Sequence, residues 1–308
     1  MTLNELRYIA AVARERHFGR AADSCFVSQP TLSVAVKKLE DQLGVSLFER
    51  GGGEVLVTDV GRRVVEQALR VLEEAENVKQ VARQGNDPLV GPLRLGAIYT
   101  VGPYLFPYLI PQAMERAPDM QLVLEENYSA VLTERLKGGD LDVIIISLPF
   151  DETGVVMRPL YTEDLVILLS ESHPLSDQSR IAVERLADEN VLLLGPGHCL
   201  RDQVLQACPE CLQRSHPNGG LPRSLEGRSL ETIRCMVAGG VGVTVMPRSA
   251  AEAGCFPAGI LVTRPFAGTA PQRCVALAWR KSFPRAAAID VLADAVAAAR
   301  LDGVVAMT

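Results

Sequence analysis

The chain has 308 residues, enough for two or three domains of roughly 100 to 200 residues, each able to bury a core without a metal or disulfide staple. Hydrophobic residues are 48% and charged residues 22%, which excludes a disordered chain, a collagen and a coiled-coil rod. The net charge of −6 argues against a wholly basic nucleic-acid binder. Lys and Arg number 9 against 8 Asp and Glu over residues 1–63, and 19 against 24 over residues 88–308, so a near-neutral head sits on an acidic body.

Glu5, Arg7, Arg14, Glu15, Arg16 and Arg20 interrupt the first twenty residues, leaving no uncharged stretch for a signal peptide or a membrane span. A cytoplasmic protein without membrane contact is expected. Seven cysteines, an odd number, do not make a secreted disulfide framework, so most should be thiols and any disulfide should be transient.

In the head, Leu3, Leu6, Ile9, Ala10 and Ala13 recur at helical steps and form one apolar face. A short second helix with small residues, Gly19 to Ala22, leads to a tight turn over Ser24 to Val27. Ser28 is an N-cap, Pro30 falls in the first turn of the helix, and Leu32, Val36, Leu39 and Leu43 make a buried stripe. The opposite face carries Ser28, Gln29, Thr31, Ser33 and Lys37, short hydrogen-bonding groups with a cation beyond them, as base edges and phosphates require. Val45 to Arg50, Gly51 to Gly53 and Val55 to Thr58 then read as a hairpin tipped by Arg50, which makes residues 1–58 a winged helix-turn-helix. A plain three-helix domain with a solvated face is the alternative, and the hairpin argues against it.

The run FGRAADSCFVSQPTLSVAVKKLEDQLGVSLFER, residues 18–50, resembles the N-terminal domain of LysR-type transcriptional regulators. The resemblance implies that Gln29, Pro30, Thr31 and Ser33 open a recognition helix for double-stranded DNA, with Arg50 at the wing. After the cap Thr58, residues 59–87 keep Val64, Ala68, Val71, Ala75, Val78 and Ala82 in a heptad seam. Its simplest partner is the same helix of a second copy; packing on the body is the alternative. The resemblance adds a dimer of dimers and contact with RNA polymerase. Gly85 to Pro92 breaks every regular pattern and reads as a hinge.

Over residues 91–308, short apolar runs (93–98, 122–127, 143–148, 165–169, 191–194, 241–246, 275–279) alternate with amphipathic stretches (104–116, 130–137, 229–238, 286–300). That alternation predicts an α/β body with a parallel sheet covered by helices. Two lobes are expected, residues 91–161 with 266–308 and residues 162–265, joined by two crossovers around a ligand cleft, as in periplasmic binding proteins.

GHCLRDQ, residues 197–203, follows the apolar run 191–194 at a loop-to-helix junction. His198, Arg201 and the helix N-terminus would each bring positive charge to Cys199 and favour its thiolate. A buried inert thiol is the ordinary alternative, and Cys25, Cys235, Cys255 and Cys274 read that way. Cys208 follows nine residues later, a helical advance of roughly 13.5 Å, whereas a disulfide needs Cα atoms within about 7 Å. Bonding Cys199 to Cys208 would therefore remodel the segment and turn oxidation into a conformational signal.

GHCLRDQ with Cys208, together with residues 96–111 and 229–243, resembles the hydrogen-peroxide-sensing members of the LysR family. The resemblance makes Cys199 the peroxidatic thiol and Cys208 the resolving thiol of a reversible disulfide, reset by a thiol reductant, that switches oxidative-stress genes. Thr100 would bind the peroxide, Ser129 would do so where relatives often carry Thr, and His198, Arg201 and Asp202 would orient it and help its leaving oxygen. Cys211 completes a CxxC with Cys208 and competes for the resolving role. The reading is a regulator and not an enzyme, with no cofactor and no metal. The rivals are a LysR-type regulator with an organic effector in the cleft and a thiol peroxidase or reductase, which would leave residues 1–87 unexplained.

Overall fold

The computed structural model describes residues 1–51, 54–84, 87–209, 226–227, 229–254, 256–299, 301 and 303–307. The chain divides into two compact units, one built on Met1–Gly85 and one on Asn86–Leu136 with Leu141–Thr308.

In the first unit α1 (Leu3–Glu15) starts at a capping box in which the Glu5 amide donates to Thr2 Oγ1 (3.2 Å) and the Thr2 amide to Glu5 (2.7 Å). The carboxyl of Glu5 is held below its ordinary value, first by that Thr2 amide. His17 caps α2 (Phe18–Ser24), its Nδ1 accepting from the amides of Gly19 and Arg20. Ser28 caps α3 (Gln29–Leu43), accepting from the Thr31 amide, and Leu32, Val36 and Leu39 are wholly buried. Leu43, expected to extend that stripe, is exposed, one residue before the left-handed Gly44 that ends the helix. The wing is β1 (Phe48–Gly51) paired antiparallel with β2 (Glu54–Val57). Glu40 of α3 accepts the Leu47 amide (2.6 Å) and the Phe48 amide (3.1 Å), so α3 and the wing are tied together.

Thr58 caps α4 (Asp59–Gln84), accepting from the Gly61 amide at 2.9 Å. A Cβ at Gly61 would stand 2.2 Å from the Leu47 carbonyl oxygen, so only glycine allows this approach. The expected seam is partly used within the unit: Val64, Val65, Ala68, Leu69 and Leu72 pack on the core of α1 to α3, while Val71 and Val78 are exposed. The first part of α4, as far as Leu72, thus packs on the core of this unit.

The second unit begins with β3 (Gly91–Ile98), α5 (Gly102–Arg116), β4 (Met120–Asn127), α6 (Ser129–Lys137) and β5 (Val143–Leu148), in which β3 is parallel to both β4 and β5. The 16-residue β6 (Val155–Ser170) then runs through both halves of the body. A 3-10 turn at Val183–Asp188, β7 (Leu193–Leu194), α7 (Cys199–Ala207), β8 (Glu226–Gly227), α8 (Leu230–Ala238), β9 (Thr244–Pro247), α9 (Arg248–Ala251) and β10 (Leu261–Arg264) follow. The chain closes with β11 (Gln272–Arg280), α10 (Ala286–Ala298) and β12 (Val304–Ala306).

The sheet order is β10-β6-β11-β5-β3-β4, and β11 is antiparallel to both β5 and β6. The sheet is therefore mixed and not parallel as the alternation of apolar runs predicts, because the returning strand enters from the opposite end. Two cores form. One joins Leu93, Leu95, Val143 to Ile146, Val275, Leu277 and Leu292; the other joins Ile167, Leu168, Leu192, Val204, Ile233 and Val243. Strand β6 serves both, placing Leu160 and Tyr161 in the first and Leu165 to Leu169 in the second.

Candidate functional site

Helix α7 spans Cys199–Ala207, with His198 as N-cap and Cys208 as C-cap. Its two faces serve different cores. Cys199 is half-buried against the first core, and Gln203, one turn on, donates to Ser147 Oγ (2.9 Å) and the Leu148 carbonyl (3.0 Å) at the end of β5. Leu200, Val204 and Cys208, also at steps of four, are buried in the second core. Gln203 carries no signal of this role in the sequence beyond its place in GHCLRDQ.

Cys199 is a free thiol, whereas Cys208 is disulfide-bonded. The Cys199 to Cys208 bond is thus not formed here, and the intact helix between the two explains why. Cys211 and Cys255 lie outside the described residues. Cys25 and Cys274 are free and half-buried, and burial pushes the Cys274 thiol up. Cys235, read as an inert thiol, is also free but exposed on α8.

Thr100 lies in the turn after β3 and is almost fully buried. Arg273 of β11 donates through Nη1 to Thr100 Oγ1 (3.1 Å) and through Nη2 to the Thr100 carbonyl (3.0 Å). The guanidinium in turn pairs with Glu163 of β6 (2.7 Å), both side chains being wholly buried, and Glu163 also accepts the Ser249 amide at 3.2 Å. Arg273 and Glu163 do not stand out in the sequence; a charged pair in strands reads there as a solvated face. With its oxygen accepting from Arg273, the Thr100 hydroxyl has its proton to donate.

Ser129 is the first residue of α6 and is half-buried. His198 is buried, and its ring lies among those of Tyr128 (4.7 Å between centroids) and Tyr99 (6.1 Å). Arg201 donates to the Leu194 carbonyl (2.6 Å), which ties the first turn of α7 to β7, and Asp202 sits in the same turn. Thr100 and Ser129 come from the first lobe, and His198, Cys199, Arg201 and Asp202 from the second. Contacts that bridge the two beside α7 include the Tyr128 ring on His198 and Gln203 on β5.

On α3, Ser28, Gln29, Pro30, Thr31 and Lys37 are exposed and Ser33 is half-buried, all on the face opposite the core. Arg50 lies on β1, paired with Val55. Lys38 is exposed and lies 3.6 Å from Glu5. Among the described residues no group of three or more His, Cys, Asp and Glu side chains could hold a metal, and no helix is long and apolar enough to cross a membrane.

The bacterial regulatory helix-turn-helix model of the lysR family matches residues 3–62, and the LysR substrate-binding domain matches residues 86–300. The chain belongs to the LysR family. This LysR-family chain is therefore a transcription regulator and not an enzyme. It is 38% identical over 303 residues to the DNA-binding transcriptional dual regulator OxyR of Escherichia coli K12, covering 98% of this chain and 97% of that one. It is similar to the structure of a full-length Cys-to-Asp variant of OxyR from Pseudomonas aeruginosa, with 50% identity, a TM-score of 0.72, and 98% and 99% of the two chains covered. A hydrogen-peroxide-bound Cys-to-Ser variant of Corynebacterium glutamicum OxyR matches at 33% identity with a TM-score of 0.60, covering 96% and 93%.

Proposed function

We propose that this LysR-family regulator senses hydrogen peroxide at Cys199 and passes the signal to DNA-bound α3 through a disulfide between Cys199 and Cys208. The observation that carries this reading is the placement of the two sulfurs at opposite ends and on opposite faces of α7, Cys199 free beside the first core and Cys208 sealed in the second.

The Cys199 thiolate attacks one peroxide oxygen, the O–O bond breaks, and the sulfur becomes a sulfenic acid while the leaving oxygen takes a proton and departs as water. Thr100 donates to the peroxide, and Ser129 supplies a second hydroxyl. His198, Arg201 and Asp202 orient the peroxide and supply the proton and charge the leaving oxygen needs. The Cys208 thiol then attacks the sulfenic sulfur and releases a second water, so peroxide is reduced by two electrons in all and the two thiols are oxidised to a disulfide. Resolution starts from protein in which the Cys208 disulfide seen here has been reduced, and a thiol reductant resets the switch afterwards.

On DNA, Ser28, Gln29, Pro30, Thr31 and Ser33 meet base edges, and Lys37 and Arg50 meet phosphates. Affinity should fall steeply with salt, by about 0.9 in log–log slope for each phosphate neutralised. Exposed Val71 and Val78 on α4 supply a pairing seam for a dimer, and the dimer of dimers, contact with RNA polymerase and a cytoplasmic site complete the reading.

Peptide mass mapping of reduced full-length protein after stoichiometric hydrogen peroxide, with free thiols alkylated before digestion, tests it. A dominant Cys199 to Cys208 link is expected. A Cys199 that stays alkylatable with no disulfide formed overturns the reading and leaves a LysR-type regulator with a small organic effector in its cleft.

A further inference from the structure

Three aromatic rings meet beside the site, and each belongs to the residue immediately before a proposed site residue. Tyr99 precedes Thr100 at the end of β3, Tyr128 precedes Ser129 between β4 and α6, and His198 precedes Cys199 at the N-cap of α7. Tyr99 and Tyr128 stack edge to face at 5.3 Å and 81°. The Tyr128 and His198 rings lie 4.7 Å apart at 56°, and Tyr99 and His198 6.1 Å apart at 58°. These are the separations at which aromatic rings attract.

Because adjacent Cα atoms are about 3.8 Å apart, fixing the three rings against one another fixes the backbones that carry Thr100, Ser129 and Cys199. The backbone around Tyr128 is itself held: its amide donates to Asn127 Oδ1 (2.9 Å) and its carbonyl accepts the Leu132 amide (3.0 Å), starting α6. On the other side Gly197 takes φ +95°, and a Cβ there would touch the Tyr128 ring at 3.4 Å. That positive φ is one glycine adopts readily, and it turns the loop that delivers His198.

Resting on the peroxide-sensing reading above, we propose that Tyr99, Tyr128 and His198 form a registration cluster that aligns Cys199 with Thr100 and Ser129, with Tyr128 as the central ring. Tyr99 and Tyr128 are positioning residues: they act through the backbone positions of their neighbours and not by touching peroxide. The cluster joins the first lobe, which carries both tyrosines, to the second, which carries His198, so it registers the two halves of the site against each other. Seated in this way, the Cys199 sulfur meets a peroxide already held by two hydroxyls, which is the step that depends on distance.

The test uses the reduced full-length protein and Tyr128→Leu, which removes the ring, beside Tyr128→Phe, which keeps it. Two rates are read at Cys199 by peptide-resolved mass spectrometry: oxidation by hydrogen peroxide, which needs alignment, and alkylation by iodoacetamide, which needs only the thiolate. Tyr128→Leu should slow oxidation roughly ten- to a hundredfold while alkylation stays within about twofold, and Tyr128→Phe should keep both within about threefold of wild type. Unchanged oxidation in Tyr128→Leu, or equal slowing of both reactions, overturns the proposal. Should Tyr128→Leu fail to fold, Tyr99→Leu takes its place: selective slowing of oxidation is again expected, and unchanged or equally slowed reactions again overturn the proposal. A wild-type Cys199 indifferent to peroxide overturns the sensing reading and the cluster with it; a reactive wild type with an equally reactive Leu variant overturns the cluster alone.

Discussion

Replacing Arg273 by Met would keep the unbranched stem of the side chain and remove its charged end from a wholly buried site. The Glu163 carboxylate would lose its 2.7 Å partner, and the carbonyl and hydroxyl of Thr100 would lose the donors at 3.0 and 3.1 Å. Breaking one side of a buried ion pair costs about 3–5 kcal/mol, because the remaining charge stays desolvated. For a unit of this size that corresponds to a fall in Tm of roughly 6–20 °C. Arg273→Met/Glu163→Leu removes both charges and should recover all but about 1–3 kcal/mol, the share left by Thr100 acceptors without a donor. Urea unfolding of the full chain, followed by the fluorescence of its single tryptophan, Trp279 on the same β11 strand, reads the difference. A loss below about 1 kcal/mol for Arg273→Met, or a double variant no better than the single one, would refute the reasoning. Oxidation of Cys199 adds a second reading: both variants should react at least roughly tenfold more slowly, since Thr100 loses the contact that orients its hydroxyl.

Gln203→Leu cuts α7 from Ser147 and Leu148 of β5 and should speed closure of the Cys199 to Cys208 disulfide after oxidation, measured by rapid quench and mass mapping; slower closure would mean that Gln203 aids the opening instead. Cys208→Ser should abolish peroxide-dependent activation in a reporter assay while Cys211→Ser leaves it intact, and equal loss in both would overturn the assignment of the resolving thiol. Burial raises the carboxyl of Glu126, so the folded chain holds that proton more tightly than the unfolded one, and wild type should lose stability relative to Glu126→Gln as pH rises above about 4.5. Urea midpoints at pH 4 and pH 7 check this, and a difference that does not change with pH contradicts it. Val78→Asp, at a site 69% exposed on α4, should lower the oligomer mass in light scattering without unfolding the monomer, and an unchanged mass would remove α4 from the pairing seam.

Local features are legible in the sequence because their causes are local. Ser28, Pro30 and the Leu32, Val36, Leu39 stripe define α3 within fifteen residues, and the glycines and flanking strands define the wing. Strand β6 is legible only in its second half, where Leu165 to Leu169 run without interruption; Arg158, Pro159, Glu163 and Asp164 break the apolar signal of the rest. The direction of β11 has no local signature, since an apolar strand looks the same read from either end. Arg273 is out of reach for a related reason: its meaning comes from Thr100, 173 residues away, and from Glu163, 110 residues away.

The same distinction bears on why oxidation at Cys199 has to be felt beyond the site. Along α7, Cys199 and Gln203 hold the first lobe while Leu200, Val204 and Cys208 hold the second, so one short helix is a rivet between two cores. Nine helical residues separate the two Cα atoms by roughly 13.5 Å along the axis, and a disulfide cannot form until that distance has roughly halved. Closing it must unwind several residues of α7, draw Cys208 from its buried place or pull Cys199 from the first core. Each route breaks packing in at least one lobe, and the route that pulls Cys199 also draws its neighbour His198 from Tyr99 and Tyr128. Had both cysteines faced one core a single turn apart, the bond could form with the helix in place and nothing would move. The nine-residue spacing, readable in the sequence, and the division of the helix between two cores, readable only in the fold, together make the chemistry a switch.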